Sequence, residues 1–164
     1  SGHHRHGRRP AGRPQYESRS PRRLWRILKT RALIDTGPLT AIFHRGDSRH
    51  LVCVKQMASL RAPLLTCWPV VTEAAWLLRS RGDAIDAMLR SFDEGVFELL
   101  DLGLDALAPI ASILARYEDL RPQIADASLI HLAEREEIET IFTLDRRDFS
   151  VLRTGRNRAL TIVP

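Results

Sequence analysis

From residue 31 onward the apolar positions keep changing period. Short continuous runs alternate with stripes spaced three and four apart. Arg31–Asp35 (RALID) reads as a first strand, stopped by Asp35-Thr36-Gly37-Pro38. Leu39–Phe43 begins a helix that His44-Arg45-Gly46-Asp47 breaks. A second helix is expected over Ser48–Leu60, with Leu51, Val54, Met57 and Ala58 facing inward. Leu64–Thr66 is a short buried strand, and Val70–Leu78 a third helix carrying Glu73 among Val70, Ala74 and Leu77. Gly82 breaks that helix and Ala84–Phe92 continues as a fourth. Val96–Leu102 is the third strand, followed by a helix over Asp105–Tyr117 built around Leu107, Ile110, Ala111 and Leu114.

The stretch Ile124–Phe149 carries the clearest pattern. Leu129, Ile130, Leu132 and Ala133 form one apolar helical stripe, and Thr140–Leu144 (TIFTL) is a β-prone run bounded by charge. Leu160–Val163 closes the chain as an edge strand. Strands alternating with helices predict a three-layer α/β sandwich, a central parallel sheet of about five strands with helices on both faces.

Charge divides the chain unevenly. Residues 1–31 hold ten Arg or Lys against Glu17 alone, so the overall net charge of +5 hides a mildly acidic body. Residues 1–28, rich in Arg, Gly, Pro, His and Ser, read as a basic tail with little to bury, disordered in isolation and able to grip phosphates without sequence preference. A further reading is that the tail is not native, because the sequence around Leu28-Lys29-Thr30-Arg31 looks like a start site read too far upstream. Residues 29–164 form the folded domain. Cys53 and Cys67 lack C-x-x-C spacing and sit in apolar surroundings, as reduced cytosolic thiols do. No apolar run reaches the roughly 18 residues that span a bilayer, and no secretory signal is visible, so the expected location is the cytoplasm and no membrane partner is expected.

Four acids then stand in a common kind of place. Asp35 ends the first strand and Asp145 the fourth, while Asp126 lies in the first turn of the helix before that fourth strand. Glu73 lies early in the helix after the second strand. Each has an ordinary structural explanation: an Asp in a first turn caps the helix, and an Asp before two arginines makes a solvated turn. Parallel strands, however, would bring their carboxyl ends to one edge, where such a cluster repels itself. An all-oxygen set without His or Cys suits Mg²⁺ or Mn²⁺ as the compensating cation.

ALIDTGPLTAIFHRGD, VVTEAAWLL, ADASLIHLAE and IFTLDRRDF, in that order, resemble a PIN domain, and more narrowly the VapC-type toxins of type II toxin–antitoxin systems. The resemblance covers residues 29–164. It implies a parallel α/β fold and a Mg²⁺- or Mn²⁺-dependent endoribonuclease hydrolysing RNA phosphodiesters. It also implies a homodimer and a cognate antitoxin as partner. Carried over by position, Asp35, Glu73, Asp126 and Asp145 match the family's catalytic, metal-holding acidic quartet. Asp148 matches an additional supporting acid, and Thr143 the small hydroxyl before the fourth acid. Gln123 stands where relatives often carry another acid. Arg146 and Arg147 flank Asp145, and Arg45 follows the first acid's helix; all three are candidate RNA-phosphate contacts, although surface ion pairing explains them equally well.

Other readings account for less of the chain. Leu33-Ile34-Asp35-Thr36-Gly37 has the form of an aspartic protease motif, but that fold is almost all β, and Pro38 replaces the small residue expected there. The Arg-Gly-Asp tripeptides at 45–47 and 81–83 read as loops between helices. A PIN-fold RNA-processing nuclease without a toxin role keeps the chemistry. A non-catalytic module binding RNA or a partner leaves four acids at strand and helix ends without a purpose.

Overall fold

In the computed structural model, which describes residues 30–164, five short strands form one parallel sheet. They are β1 (Leu33–Ile34), β2 (Leu64–Thr66), β3 (Phe97–Leu99), β4 (Thr140–Phe142) and β5 (Thr161–Val163), in the spatial order β3-β2-β1-β4-β5. Leu33 faces Leu65 on one side and Ile141 on the other, so β1 is the central strand. Ala32, Leu33 and Ile34 are completely buried, which is why this strand reads as a continuous apolar run without alternation. At the edge β5 leaves Thr161 exposed. The basic tail, residues 1–28, lies outside the described residues.

The helices follow from the strand order. α1 (Thr36–Phe43) and α2 (His50–Ser59) connect β1 to β2, and α3 (Trp68–Leu77) and α4 (Gly82–Asp93) connect β2 to β3. The chain then returns past β1 through α5 (Leu107–Arg116) and α6 (Ile124–Arg135) to β4, and α7 (Arg146–Val151) leads to β5. Right-handed crossovers put α1–α4 on one face and α5–α7 on the other. Contacts agree: α1 packs on α2, α3 and α4, α5 packs on α6, and α3 meets α6 where the two layers approach. The direction of winding reverses between β1 and β4. Open α/β sheets form their crevice at such a point, outside the carboxyl ends of the strands.

Four local expectations change. In α2 the inward stripe is Cys53, Met57 and Leu60, whereas Leu51 is 80% exposed and Val54 and Ala58 are also exposed. The helix carries apolar residues on several sides, so periodicity alone leaves its rotation undecided. That rotation is fixed by the His50 ring, whose Nδ1 lies 2.8 Å from the Ala41 carbonyl of α1. Leu77 and, in α5, Leu107 and Ala111 likewise point outward. Gly82 opens α4 instead of only separating it from α3, and the strand expected over Val96–Leu102 is limited to Phe97–Leu99. Both cysteines are buried free thiols.

Candidate active site

Asp35 follows β1 directly and caps α1. Its Oδ1 accepts from the Thr36 backbone N–H at 2.7 Å. Its Oδ2 accepts from the Thr143 hydroxyl at 2.7 Å, and the same hydroxyl oxygen accepts from the Asp145 N–H at 3.0 Å. Thr143 is fully buried just beyond β4, so one hydroxyl ties the first acid to the backbone of the fourth. Thr36 makes a second tie by donating its hydroxyl to Glu73 Oε2 at 2.9 Å, from the start of α1 to the middle of α3.

Asp126 sits in the first turn of α6, where its Oδ2 accepts from the Gln123 N–H at 2.7 Å. Asp145 is the N-cap of α7, its Oδ1 accepting from the Asp148 N–H at 3.1 Å. The structural and functional explanations of these acids therefore coincide: capping aims the carboxylate. α7 itself was not anticipated from sequence, where Arg146-Arg147-Asp148 looked like a corner. The N-termini of α1, α6 and α7 all approach the same place, and their partial positive charge favours carboxylates there.

Asp35, Glu73, Asp126, Asp145 and Asp148 line a single open cleft of about 490 Å³, together with Gly37, Leu77 and Arg121. The sequence quartet and its supporting acid are thus brought together. Arg45 is not with them. It lines a separate hollow beside Arg81 and Asp83, between α1 and α4. Arg146 donates to the Pro164 carbonyl, Arg147 is exposed at the start of α7, and neither lines the cleft. Arg121 was not anticipated. Its only sequence signal is its place in Arg121-Pro122, just ahead of α6.

Electrostatics sets the chemistry. Asp35 is 7% exposed, and burial pushes its carboxyl up from 3.8 to about 6. The hydrogen bonds from Thr143 and Thr36 resist that rise, and the charges of Asp126 and Glu73 add to it. Asp126 is raised as well, by burial first and then by Glu73, Asp145 and Asp148, against the Gln123 hydrogen bond. Among the described residues no ion pair involves any of the five acids.

Among the described residues no group of three or more His, Cys, Asp or Glu is arranged to hold a metal ion as it stands. The donor set nevertheless fits a hard divalent cation. It is all oxygen, it is anionic, and its charge lacks a paired cation. The backbone hydrogen bonds to Asp126 and Asp145 each occupy one carboxylate oxygen and leave the other to a ligand.

The parallel α/β sheet with carboxylates gathered at its switch point places the chain among α/β proteins with an acidic cleft, and comparison with known proteins narrows the class. The model of the PIN domain matches residues 32–154, so the chain belongs to the PIN-domain family. Ribonuclease VapC26 of Mycobacterium tuberculosis is 36% identical over 134 residues, 80% of this chain and 99% of that protein. The crystal structure of the VapC20 toxin of the same organism, described as cleaving the sarcin-ricin loop, superposes with a TM-score of 0.65 at 22% identity. It covers 71% of this chain and 91% of its own.

Proposed function

We infer that the protein is an endoribonuclease that hydrolyses RNA phosphodiesters in the acidic cleft, acting as the toxin of a type II toxin–antitoxin pair. One observation carries this reading: Asp35, Glu73, Asp126 and Asp145, from four separate elements, line one cleft at the β1/β4 switch point. The relatives, a ribonuclease and a toxin described as cleaving the sarcin-ricin loop, support an RNA substrate, and the toxin role carries with it the expected cognate antitoxin. The domain is taken as residues 29–164, and the location as the cytoplasm. No helix among the described residues is long and apolar enough to cross a membrane.

The quartet would hold Mg²⁺ or Mn²⁺. When bound, such a cation supplies charge neutralisation and Lewis-acid activation for attack on phosphorus. The chain's own part is orientation. Thr143 fixes Asp35 relative to Asp145, Thr36 fixes Glu73, and Gln123 fixes Asp126. Asp148 adds negative charge beside Asp126. The described residues lining the cleft include no cysteine or serine, and the Thr36 hydroxyl is taken up by Glu73, so water serves as nucleophile in this reading. Arg146 and Arg147, outside the cleft, remain candidates for contacts to more distant phosphates.

Beside the cleft, Trp68, Trp76 and Ile124 are 60%, 65% and 59% exposed and line an apolar hollow that shares Glu73 and Gln123 with it. We assign the expected homodimer to this surface. Light scattering should give twice the monomer mass for the native chain, and Trp76→Glu should give the monomer.

The decisive assay incubates the protein with total RNA and tRNA in Mg²⁺ or Mn²⁺, beside an EDTA-treated sample and Asp126→Asn. Cleavage lost in both controls supports the reading. Equal cutting by Asp126→Asn, or none by the metal-loaded protein, favours a binding module. Growth arrest on expression separates a toxin from an RNA-processing enzyme.

A further inference from the structure

Arg121 is the one basic side chain among the described residues that line the acidic cleft. Four other arginines of the described fold pair with acids, Arg90 with Asp86, Arg135 with Glu136, Arg156 with Glu134 and Arg158 with Glu139, and the rest, like Arg121, form no ion pair. Arg121 has five carboxylates around the same hollow and pairs with none of them. The charges acting on Asp126, three residues beyond Gln123, are all acidic.

Its backbone is left-handed, a conformation shared among the described non-glycine residues with Glu137 and Asn157 alone. Arg121 adopts φ 51° and ψ 49°, the left-handed conformation that favours glycine. The ring of Pro122 further disfavours helix-like backbone at the residue before it. The conformation is held on both sides, by the Arg121 N–H donating to the Glu118 carbonyl at 3.0 Å and by the Gln123 N–H donating to Asp126. An arginine thus stands where glycine would be unstrained, locked in register with an acid of the quartet. Strain of this kind gathers at functional sites.

We propose that Arg121 grips an RNA phosphate at the mouth of the acidic cleft, positioning the backbone for the cut. The inference rests on the ribonuclease reading. An exposed guanidinium that pairs with no acid keeps its donors free for an incoming anion, and its planar fork matches a phosphate bidentately. An acidic cleft repels a polyanion, so a cationic side chain at its rim assists the substrate's approach beside any bound metal.

The test uses the full chain in an Asp126→Asn background, which does not cut, with fluorescein-labelled tRNA followed by anisotropy across a KCl series. Adding Arg121→Gln should weaken binding about tenfold and lower the log–log salt slope by about 0.7, the loss of one phosphate contact to a single strand. Arg121→Lys should keep the slope and recover part of the affinity. Arg121→Gly should melt at or above its parent and still bind as poorly as Arg121→Gln, which a merely structural arginine would not do. Unchanged affinity and slope in Arg121→Gln, or binding restored by Arg121→Gly, overturns the proposal while leaving the nuclease intact. If wild type cuts no RNA and the parent binds none, the ribonuclease reading fails first and this inference with it.

Discussion

Asp35 carries its charge in a place that disfavours it. Its carboxyl titrates near 6 in the fold and near 3.8 in an unfolded chain, so between these values the folded protein holds the extra proton. Stability of the metal-free protein should therefore fall as pH rises from about 4 to about 6, by about 3 kcal/mol in all at ~1.4 kcal/mol per pH unit. Asp35→Asn removes the buried charge, and its amide can still accept from Thr36 and donate to Thr143. It should abolish cleavage, melt higher than wild type at pH 7.5 without metal, and flatten the slope between pH 4 and 6. Urea titrations at a series of pH values measure all three, and an unchanged slope would mean that Asp35 is not the group responsible. Thr143→Val tests the other side of the same contact. It leaves Asp35 Oδ2 and the Asp145 N–H without their shared partner, at a cost of about 1–3 kcal/mol. Cleavage should drop by about a hundredfold, the penalty typical of a site group misplaced by ~1 Å. Thr143→Ser should restore most of both.

At the scale of elements, sequence is informative where one physical requirement dominates. β1, β2 and β4 are short apolar runs because a parallel strand buried on both faces has no polar side to show. The quartet was readable for a related reason: acids that stop strands or open helices are placed by topology, and the topology followed from the alternation of elements. α2 was misread because Leu51, Val52 and Val54 offer more than one apolar face, and only docking on α1 selects Cys53, Met57 and Leu60. Arg121 was invisible because its location depends on a left-handed turn between two helices, which no period encodes. The difference in burial has a measurable consequence. Leu51→Ala should leave stability within about 0.5 kcal/mol, as exposed substitutions do. Ile34→Ala, in the completely buried central strand, should cost about 2–5 kcal/mol. A comparable loss at both positions in denaturant titrations would contradict the rotation of α2 described above.

For the whole molecule, a divalent cation held in the acidic cleft would make folding and metal binding share one free energy. Three helix N-termini and the Thr143 and Thr36 hydroxyls hold the carboxylates together, yet Asp35 and Asp126 both titrate higher than free carboxylates, because burial first and mutual repulsion after it disfavour their charged forms. A divalent cation binding the folded cleft, and not the unfolded chain, removes that repulsion and must raise stability by mass action. At a hundred times its dissociation constant the gain is about 2.7 kcal/mol. Protons compete for the same oxygens, so the increase in melting temperature on adding Mn²⁺ or Mg²⁺ should be large at pH 7.5 and small at pH 5, below the Asp35 titration near 6. EDTA should reverse it, and Asp126→Asn and Asp145→Asn should each shrink it, while Arg45→Gln, in a separate hollow, should leave it unchanged. Thermal melts of the metal-free protein titrated with either cation give the answer directly. A shift that ignores pH and survives both substitutions would place the cation elsewhere on the molecule, and the cleft would then need another source of positive charge to approach RNA.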